Sequence, residues 1–294
     1  MRLAVVGLGR MGQPAAAALA AAGHDVLGVD PAPAARERAG ATGLAAAAAL
    51  PSGAAVELAV LSLPKPEHVA AVCGELAGAG DSLRVVVDLS TIDPGTARRS
   101  AAILAASGIA FLDAPVLGRP DVCGSWTLPV GGSADAFALA DQVLAAIAER
   151  RVLVGDVGAG SVVKLLNNLM FGAINAVTAE ILAVAERLGV PPARFVDVLA
   201  PSRAASVSGL FRDLGPRIAE GRYDEPAFTL ALLQKDNDLA AEMLTGAGLQ
   251  PVIAQTVAML NQLAVAGGWG DLDTAAMVEA YRRFLTTPDP PPGG

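Results

Sequence analysis

The chain is poor in metal-binding and redox side chains: 294 residues contain two histidines and two cysteines. His24 and His68 are too few for a histidine-based metal centre. Cys73 and Cys123 stand 50 residues apart with neither CxxC nor Cys/His spacing, which argues against a structural zinc site or a disulfide scaffold. Buried thiols in a reducing compartment are the default for such a pair. Charge is also scarce, at 17%, and its balance is negative, 21 Lys plus Arg against 29 Asp plus Glu, net −8. That balance argues against wholesale nucleic-acid or anionic-membrane binding. The longest uncharged stretch, Met243 to Gly270, is broken by Gly246, Gly248 and Pro251 and carries Gln255, Thr256, Asn261 and Gln262, so no membrane-spanning run survives in it. A nucleophilic Ser or Cys triad, glycosidase-like carboxylate pairs and a Walker loop are missing too. No leader is read before the first strand, and a cytoplasmic protein is expected.

Hydrophobic residues, 53% of the chain, supply ample material for cores, and the length suggests two domains. In the first half, short apolar runs (Leu3–Val6, Val26–Val29, Leu58–Leu63, Val85–Leu89, Ile109–Asp113, Thr127–Val130, Val152–Val154) alternate with helical stretches such as Met11–Ala22, Pro66–Ala77 and Pro94–Ala106. Continuous apolar strands separated by helices predict an α/β, doubly wound, mostly parallel sheet. From Ser161 to Leu188 the sequence reads as one long helix, ended by Gly189 and Pro191-Pro192, and everything beyond it reads helical: Pro192–Leu199, Leu239–Leu244, Val252–Val265 and Thr274–Phe284. The expected organisation is a domain over 1–157 and an all-α domain over 158–294, opening on that interdomain helix, with residues 287–294 as a disordered tail.

Chemistry enters at Gly7-Leu8-Gly9-Arg10-Met11-Gly12, which follows a strand and opens a helix. Gly7 permits a tight turn, Gly9 lets the backbone approach a pyrophosphate, and Gly12 allows close helix–strand packing. The helix N-terminus offers N–H groups to phosphates. Asp30 ends the second strand, where a carboxylate accepts from the ribose hydroxyls and repels a 2′-phosphate. This is a Rossmann-type dinucleotide site favouring NAD; Arg36 and Arg38 leave NADP open, unless they only form a solvated helix face. On the long helix, Lys164, Asn168, Phe171 and Asn175 follow at i, i+4, i+7 and i+11, within a stripe of about 60°. The stripe is either a cleft-facing row of functional groups or a set of caps for neighbouring backbone.

Five ordered motifs carry a resemblance: Gly7–Gly12 with Pro14 and Gly23-His24; Asp88-Leu89-Ser90-Thr91; Asp113-Ala114-Pro115-Val116; Gly158 through Asn168; and Lys235-Asp236. Over residues 1 to about 285 the chain resembles the β-hydroxyacid dehydrogenase family, whose best-known member is 3-hydroxyisobutyrate dehydrogenase. The resemblance implies an NAD(P)-dependent oxidoreductase with a 6-phosphogluconate dehydrogenase type of NAD-binding domain, working as a homodimer or homotetramer built on the long helix. It implies Lys164 as the catalytic lysine, Asn168 as a substrate-orienting amide, Leu63 and Thr91 beside the cofactor, and Lys235 closing over it.

One segment departs from the family. Its usual Asp-Ala-Pro-Val-Ser-Gly-Gly reads here Asp113-Ala114-Pro115-Val116-Leu117-Gly118-Arg119-Pro120. Leu117 deletes a hydroxyl, Arg119 brings a guanidinium, and Pro120 removes a backbone donor. The substrate expected is a small β-hydroxy acid or its aldehyde or ketone, its anionic group held by Gly118, Arg119 and Asn168. Lys164 would exchange the proton, its basicity tuned by burial and by a second cation such as Lys235. Cys123 and Trp126 lie near this loop and read as packing; His24 reads as a turn residue. The alternatives are an imine reductase-like NADP enzyme, against which Lys164 and Asp30 both speak, and a non-catalytic dinucleotide-binding module.

Overall fold

The computed structural model describes residues 1–51, 53–78, 82–202 and 208–285. The expected tail, 287–294, lies outside them. The chain divides into two compact units, Met1–Lys164 and Leu165–Gly294.

The first unit holds β1 (Arg2–Val6), α1 (Gly12–Ala21), β2 (Asp25–Val29), α2 (Pro33–Ala41), β3 (Ala45–Ala47), β4 (Leu58–Leu61), α3 (Pro66–Leu76), β5 (Val85–Asp88), α4 (Pro94–Ala105), β6 (Ala110–Asp113), β7 (Trp126–Gly131), α5 (Ala134–Leu144) and β8 (Ala148–Gly155). These strands form one eight-stranded sheet in the order β3-β2-β1-β4-β5-β6-β7-β8. Every pairing is parallel except β6 with β7. The apolar runs are buried on both faces because successive side chains alternate. Leu3 and Val5 join Val85, Val87 and Leu112 under α1, α2 and α5, whereas Ala4, Val6, Ala59, Val86 and Phe111 pack with residues of α3 and α4. Strand β3, all alanine, lacks the β-branched signature that marks the others and is not among the strands expected from sequence. The order in which strands are added reverses between β1 and β4, which makes their carboxyl ends the switch point where such sheets bind ligands.

Helix α6 (Ala159–Arg187, 29 residues) begins in the first unit and continues into the second. It is the one helix among the described residues long and apolar enough to cross a membrane, and half of its most apolar stretch is buried in the protein. The second unit continues with α7 (Pro192–Leu199), α8 (Gly209–Glu220), α9 (Leu230–Gly246), α10 (Val252–Ala264) and α11 (Met277–Ala280). Helix α8 contains Pro216 and keeps its last turn, which ends at Gly221 in the left-handed conformation, φ 64°. Helix α9 starts nine residues before the expected Leu239 and so carries Lys235 and Asp236. The expected helix from Thr274 to Phe284 is a 3-10 turn, then α11, then a π-helical turn. Ala179, Leu182, Phe211, Leu214, Ile218, Met277 and Tyr281 form its core. Arg282 ties the end of the chain to α6 through Glu186 at 2.8 Å.

Candidate active site

Two positions of the glycine loop at the switch point admit no side chain, Gly7 and Gly12. A Cβ on Gly7, whose φ is +95°, would lie 2.2 Å from the Ser62 carbonyl oxygen at the end of β4. One on Gly12 would lie 1.8 Å from the Gly7 oxygen. Gly9 differs: a Cβ there would meet nothing within 4 Å. The loop therefore presents bare backbone toward open space at Gly9. Helix α1 starts at this loop with neither a side-chain cap nor an acidic residue in its first turn, whereas α4 and α5 are capped by Asp93 and Ser133. Uncapped N–H groups with a helix dipole behind them suit a pyrophosphate. Leu8 and Met11 complete the loop with Arg10, which is exposed.

Asp30 does more than the sequence suggested. Its Oδ2 accepts the Leu8 N–H at 2.8 Å and its Oδ1 accepts the Ala32 N–H at 2.9 Å, so it fastens the glycine loop to the end of β2. Each oxygen keeps a further lone pair for a ribose hydroxyl. Arg36 is no solvated bystander: its Nη1 donates to the carbonyls of Asp30 and Pro31 at 2.8 and 2.7 Å. On the other side of the switch point, the Leu63 N–H donates to Ser90 Oγ at 2.8 Å, next to Thr91. These features fit a dinucleotide on the residues that the sequence named.

The lysine is placed by a separate assembly within the first unit. Lys164, in the second turn of α6, donates from Nζ to the Val116 carbonyl at 2.8 Å. Val116 leads directly into the altered segment, which is braced against β7. The N–H and carbonyl of Leu117 both pair with Thr127, at 2.9 and 3.1 Å, and the Trp126 indole donates to the Arg119 carbonyl at 2.7 Å. Trp126 is fully buried, and a Cβ on Gly118 would lie 2.5 Å from its Cδ1. Arg119 is exposed. Cys123 is half-buried and its thiol is pushed up by burial; Cys73 is pushed up to about 12 by burial and the nearby Asp88. Neither thiol is an ionised nucleophile at neutral pH.

In the second unit the polar stripe divides. Asn168 Nδ2 donates to Asp236 Oδ2 at 2.5 Å, Asn168 Oδ1 accepts from Asn167 at 3.1 Å, and Lys235 Nζ lies 3.0 Å from Asp236 Oδ1. The lysine charge is thus paired within its own helix, which weakens the expected part of Lys235 in tuning a second lysine. Asn175 is a correction to the cleft-facing row. It is fully buried and donates to the Thr274 carbonyl at 3.1 Å, so it caps backbone. Phe171 packs edge-on against Phe228, centroids 5.7 Å apart. Sequence reasoning gave no role to Asp113, whose carboxylate receives three donors from the start of α6.

A dinucleotide loop at a sheet switch point, followed by a lysine-bearing helix, defines a nicotinamide-dinucleotide oxidoreductase. Comparison with known proteins makes the assignment narrower. The profile of the NAD binding domain of 6-phosphogluconate dehydrogenase matches residues 2–155, and that described as NAD-binding of NADP-dependent 3-hydroxyisobutyrate dehydrogenase matches residues 158–281. The 3-hydroxyisobutyrate dehydrogenase of Pseudomonas aeruginosa is 34% identical, with 95% of this chain and 98% of that protein covered. L-threonate dehydrogenase of Cupriavidus necator is 30% identical, with 95% of each covered. The solved structure of Mycobacterium tuberculosis 3-hydroxyisobutyrate dehydrogenase with L-serine superposes with a TM-score of 0.86 at 29% identity, covering 96% of this chain and 99% of that one. The chain belongs to the β-hydroxyacid dehydrogenase family and is an NAD(P)-dependent dehydrogenase acting on CH–OH groups.

Proposed function

We propose that the protein interconverts a small β-hydroxy acid and its aldehyde or ketone with NAD, Lys164 exchanging the proton. The observation that carries this is the Lys164 side-chain nitrogen fixed on the Val116 carbonyl, at the head of the one loop that departs from the family. When bound, the cofactor supplies hydride acceptance and donation at its nicotinamide ring. Lys164 takes the hydroxyl proton during oxidation and returns it during reduction. Gly118, Arg119 and Asn168 hold the acid group. Leu117 spends its N–H on Thr127 and Pro120 has none, so anion recognition passes to the Gly118 backbone and the Arg119 guanidinium. Gly7 to Gly12 cradle the pyrophosphate, Asp30 takes the adenosine ribose and favours NAD, and Leu63, Thr91 and Lys235 line the nicotinamide end.

A homodimer or homotetramer is supported by the apolar exposure of α6, where Leu166, Met170, Val177, Ile181 and Val184 recur at helical spacing. Cytoplasmic placement accords with two unpaired cysteines. An imine reductase-like activity is the lesser reading, because Lys164 and Asp30 both suit a hydroxy acid and NAD. The test is Lys164→Ala, assayed with 3-hydroxyisobutyrate, L-threonate and 2-(hydroxymethyl)glutarate. Turnover on the best substrate should fall roughly 10²–10⁴-fold while NADH affinity holds, the usual worth of a positioned acid/base group. Near-wild-type turnover would remove Lys164 from the chemistry.

A further inference from the structure

We propose that Asp113 is a positioning residue for the reaction, its carboxylate latching the first turn of α6 so that Lys164 is held against Val116. The inference rests on the reading of Lys164 as the proton-transfer group. Asp113 is the last residue of β6, between Asp88 of β5 and Gly131 of β7 in the sheet, and it is 1% exposed. A carboxylate so buried needs donors, and it has three. Its Oδ1 accepts the Gly158 N–H at 2.7 Å; its Oδ2 accepts the Ser161 N–H at 2.7 Å and the Ser161 hydroxyl at 3.0 Å. All three come from the start of α6, where backbone N–H groups lack helical partners and an anion is favoured.

The packing around this latch leaves little slack. A Cβ on Gly131 would lie 2.3 Å from Asp113 Oδ1, and one on Gly160 would lie 2.3 Å from the Asp113 carbonyl oxygen. The register then carries the constraint to the lysine. Val116 follows Asp113 by three residues, Lys164 follows Ser161 by three, and the far ends meet in the Lys164–Val116 hydrogen bond of 2.8 Å. Segments 113–116 and 161–164 are therefore joined at both ends, so displacing one end displaces the other. Both carboxylate oxygens are required. Asparagine at 113 would turn an N–H toward the Gly158 N–H or toward Ser161, and one side of the latch would open.

The chain has three lysines, Lys65, Lys164 and Lys235, so reductive methylation with isotope-labelled formaldehyde gives a sparse NMR spectrum in which Lys164→Arg identifies the Lys164 signal. In Asp113→Asn the Lys164 signal should move while those of Lys65 and Lys235 stay. On the best substrate kcat should fall about 10–100-fold, as ångström-scale misplacement of a reacting group implies, with KM and NADH affinity within about threefold of wild type. A residue that merely stabilised the fold would lower the melting temperature and leave both the signal and kcat per folded molecule unchanged; that result overturns the proposal. Should Asp113→Asn fail to fold, Ser161→Ala decides. Removing one of the three bonds should displace the same signal less far and lower kcat less, and a wild-type signal and kcat there would be equally fatal. Lys164→Ala, run alongside, separates the two readings. Full turnover in that variant sinks the proton-transfer role, whereas an inactive Lys164→Ala with an unaltered Asp113→Asn sinks only the latch.

Discussion

Gly9 and Gly12 belong to one motif, yet the structure sets them opposite tasks, and alanine at each should fail in a different assay. At Gly12 a Cβ would sit 1.8 Å from the Gly7 carbonyl oxygen and 3.2 Å from the Ser62 side chain. Backbone must move to admit it. Overpacking of this kind costs about 1–3 kcal/mol, which at roughly 2–4 °C per kcal/mol lowers the melting temperature by about 2–12 °C. At Gly9 a Cβ meets nothing within 4 Å, and φ is not in the left-handed region. Gly9→Ala should leave stability within about 0.5 kcal/mol of wild type or raise it slightly, by restricting the unfolded chain. Its methyl group would instead occupy the space through which a pyrophosphate reaches the loop backbone. NADH affinity, measured by fluorescence titration, should drop tenfold or more, equivalent to about 1.4 kcal/mol. Thermal melts and titrations of the two variants should therefore cross over. If Gly9→Ala binds NADH as tightly as wild type, the dinucleotide does not lie on this loop as argued.

Asp30→Ala should weaken NAD more than NADP and narrow the preference between them, because it removes ribose acceptors, the charge that repels a 2′-phosphate, and the Leu8 N–H acceptor at 2.8 Å. A wild type that already prefers NADP in paired titrations would contradict this and point to Arg36 or Arg38. Arg119→Ala should raise KM for the best acid substrate about tenfold or more with a smaller loss in kcat, since guanidinium contacts to an anion are worth about 1.5–3 kcal/mol. Comparing that acid with its neutral amide is the check, and equal discrimination in variant and wild type would exclude a clamp. Trp126→Phe keeps the buried ring and deletes the donor to the Arg119 carbonyl, at 2.7 Å, so it should raise the same KM a fewfold without altering NADH affinity; a change confined to NADH binding would count against the brace.

The fold of the first unit was legible because its strands announce themselves by composition. Runs such as Leu58–Leu61 and Val85–Asp88 are apolar on both faces, which only a sheet covered on both sides tolerates. Where that signal fails, so does the reading. Ala45–Ala47 forms a strand through its neighbour β2 alone, since alanine has no preference of its own for a pleated surface. The helical unit was legible as helical, not in its boundaries. Helix α8, with Pro216 inside it, is not among the helices read individually from the sequence. Helix α9 begins early because Thr229 caps it, its side chain accepting the Leu232 N–H, a local contact that hydrophobic spacing does not register.

The site divides along the same line. Residues that must be one type for covalent or steric reasons were visible in sequence: Gly7 and Gly12, where any side chain overlaps backbone, and Lys164, a lone amine on an apolar helix. Residues defined by what they hold were not. Asp113 lies 45 positions from Gly158 and 48 from Ser161, and no spacing rule joins them. Asn168 and Asn175 look equivalent on a helical wheel, yet one meets a carboxylate on α9 and the other a backbone carbonyl near the chain end. One signal was available. Asp113-Ala114-Pro115-Val116 and Gly158-Ala159-Gly160-Ser161 each contain small or rigid residues beside a group that can donate or accept, which is the composition of two backbones in close approach. The glycine at 131 is explained by the same carboxylate, and that at 160 by the Asp113 and Pro129 backbone carbonyls. A buried anion packed against side-chain-free backbone marks where a helix is being aimed, and here the helix it aims carries the lysine.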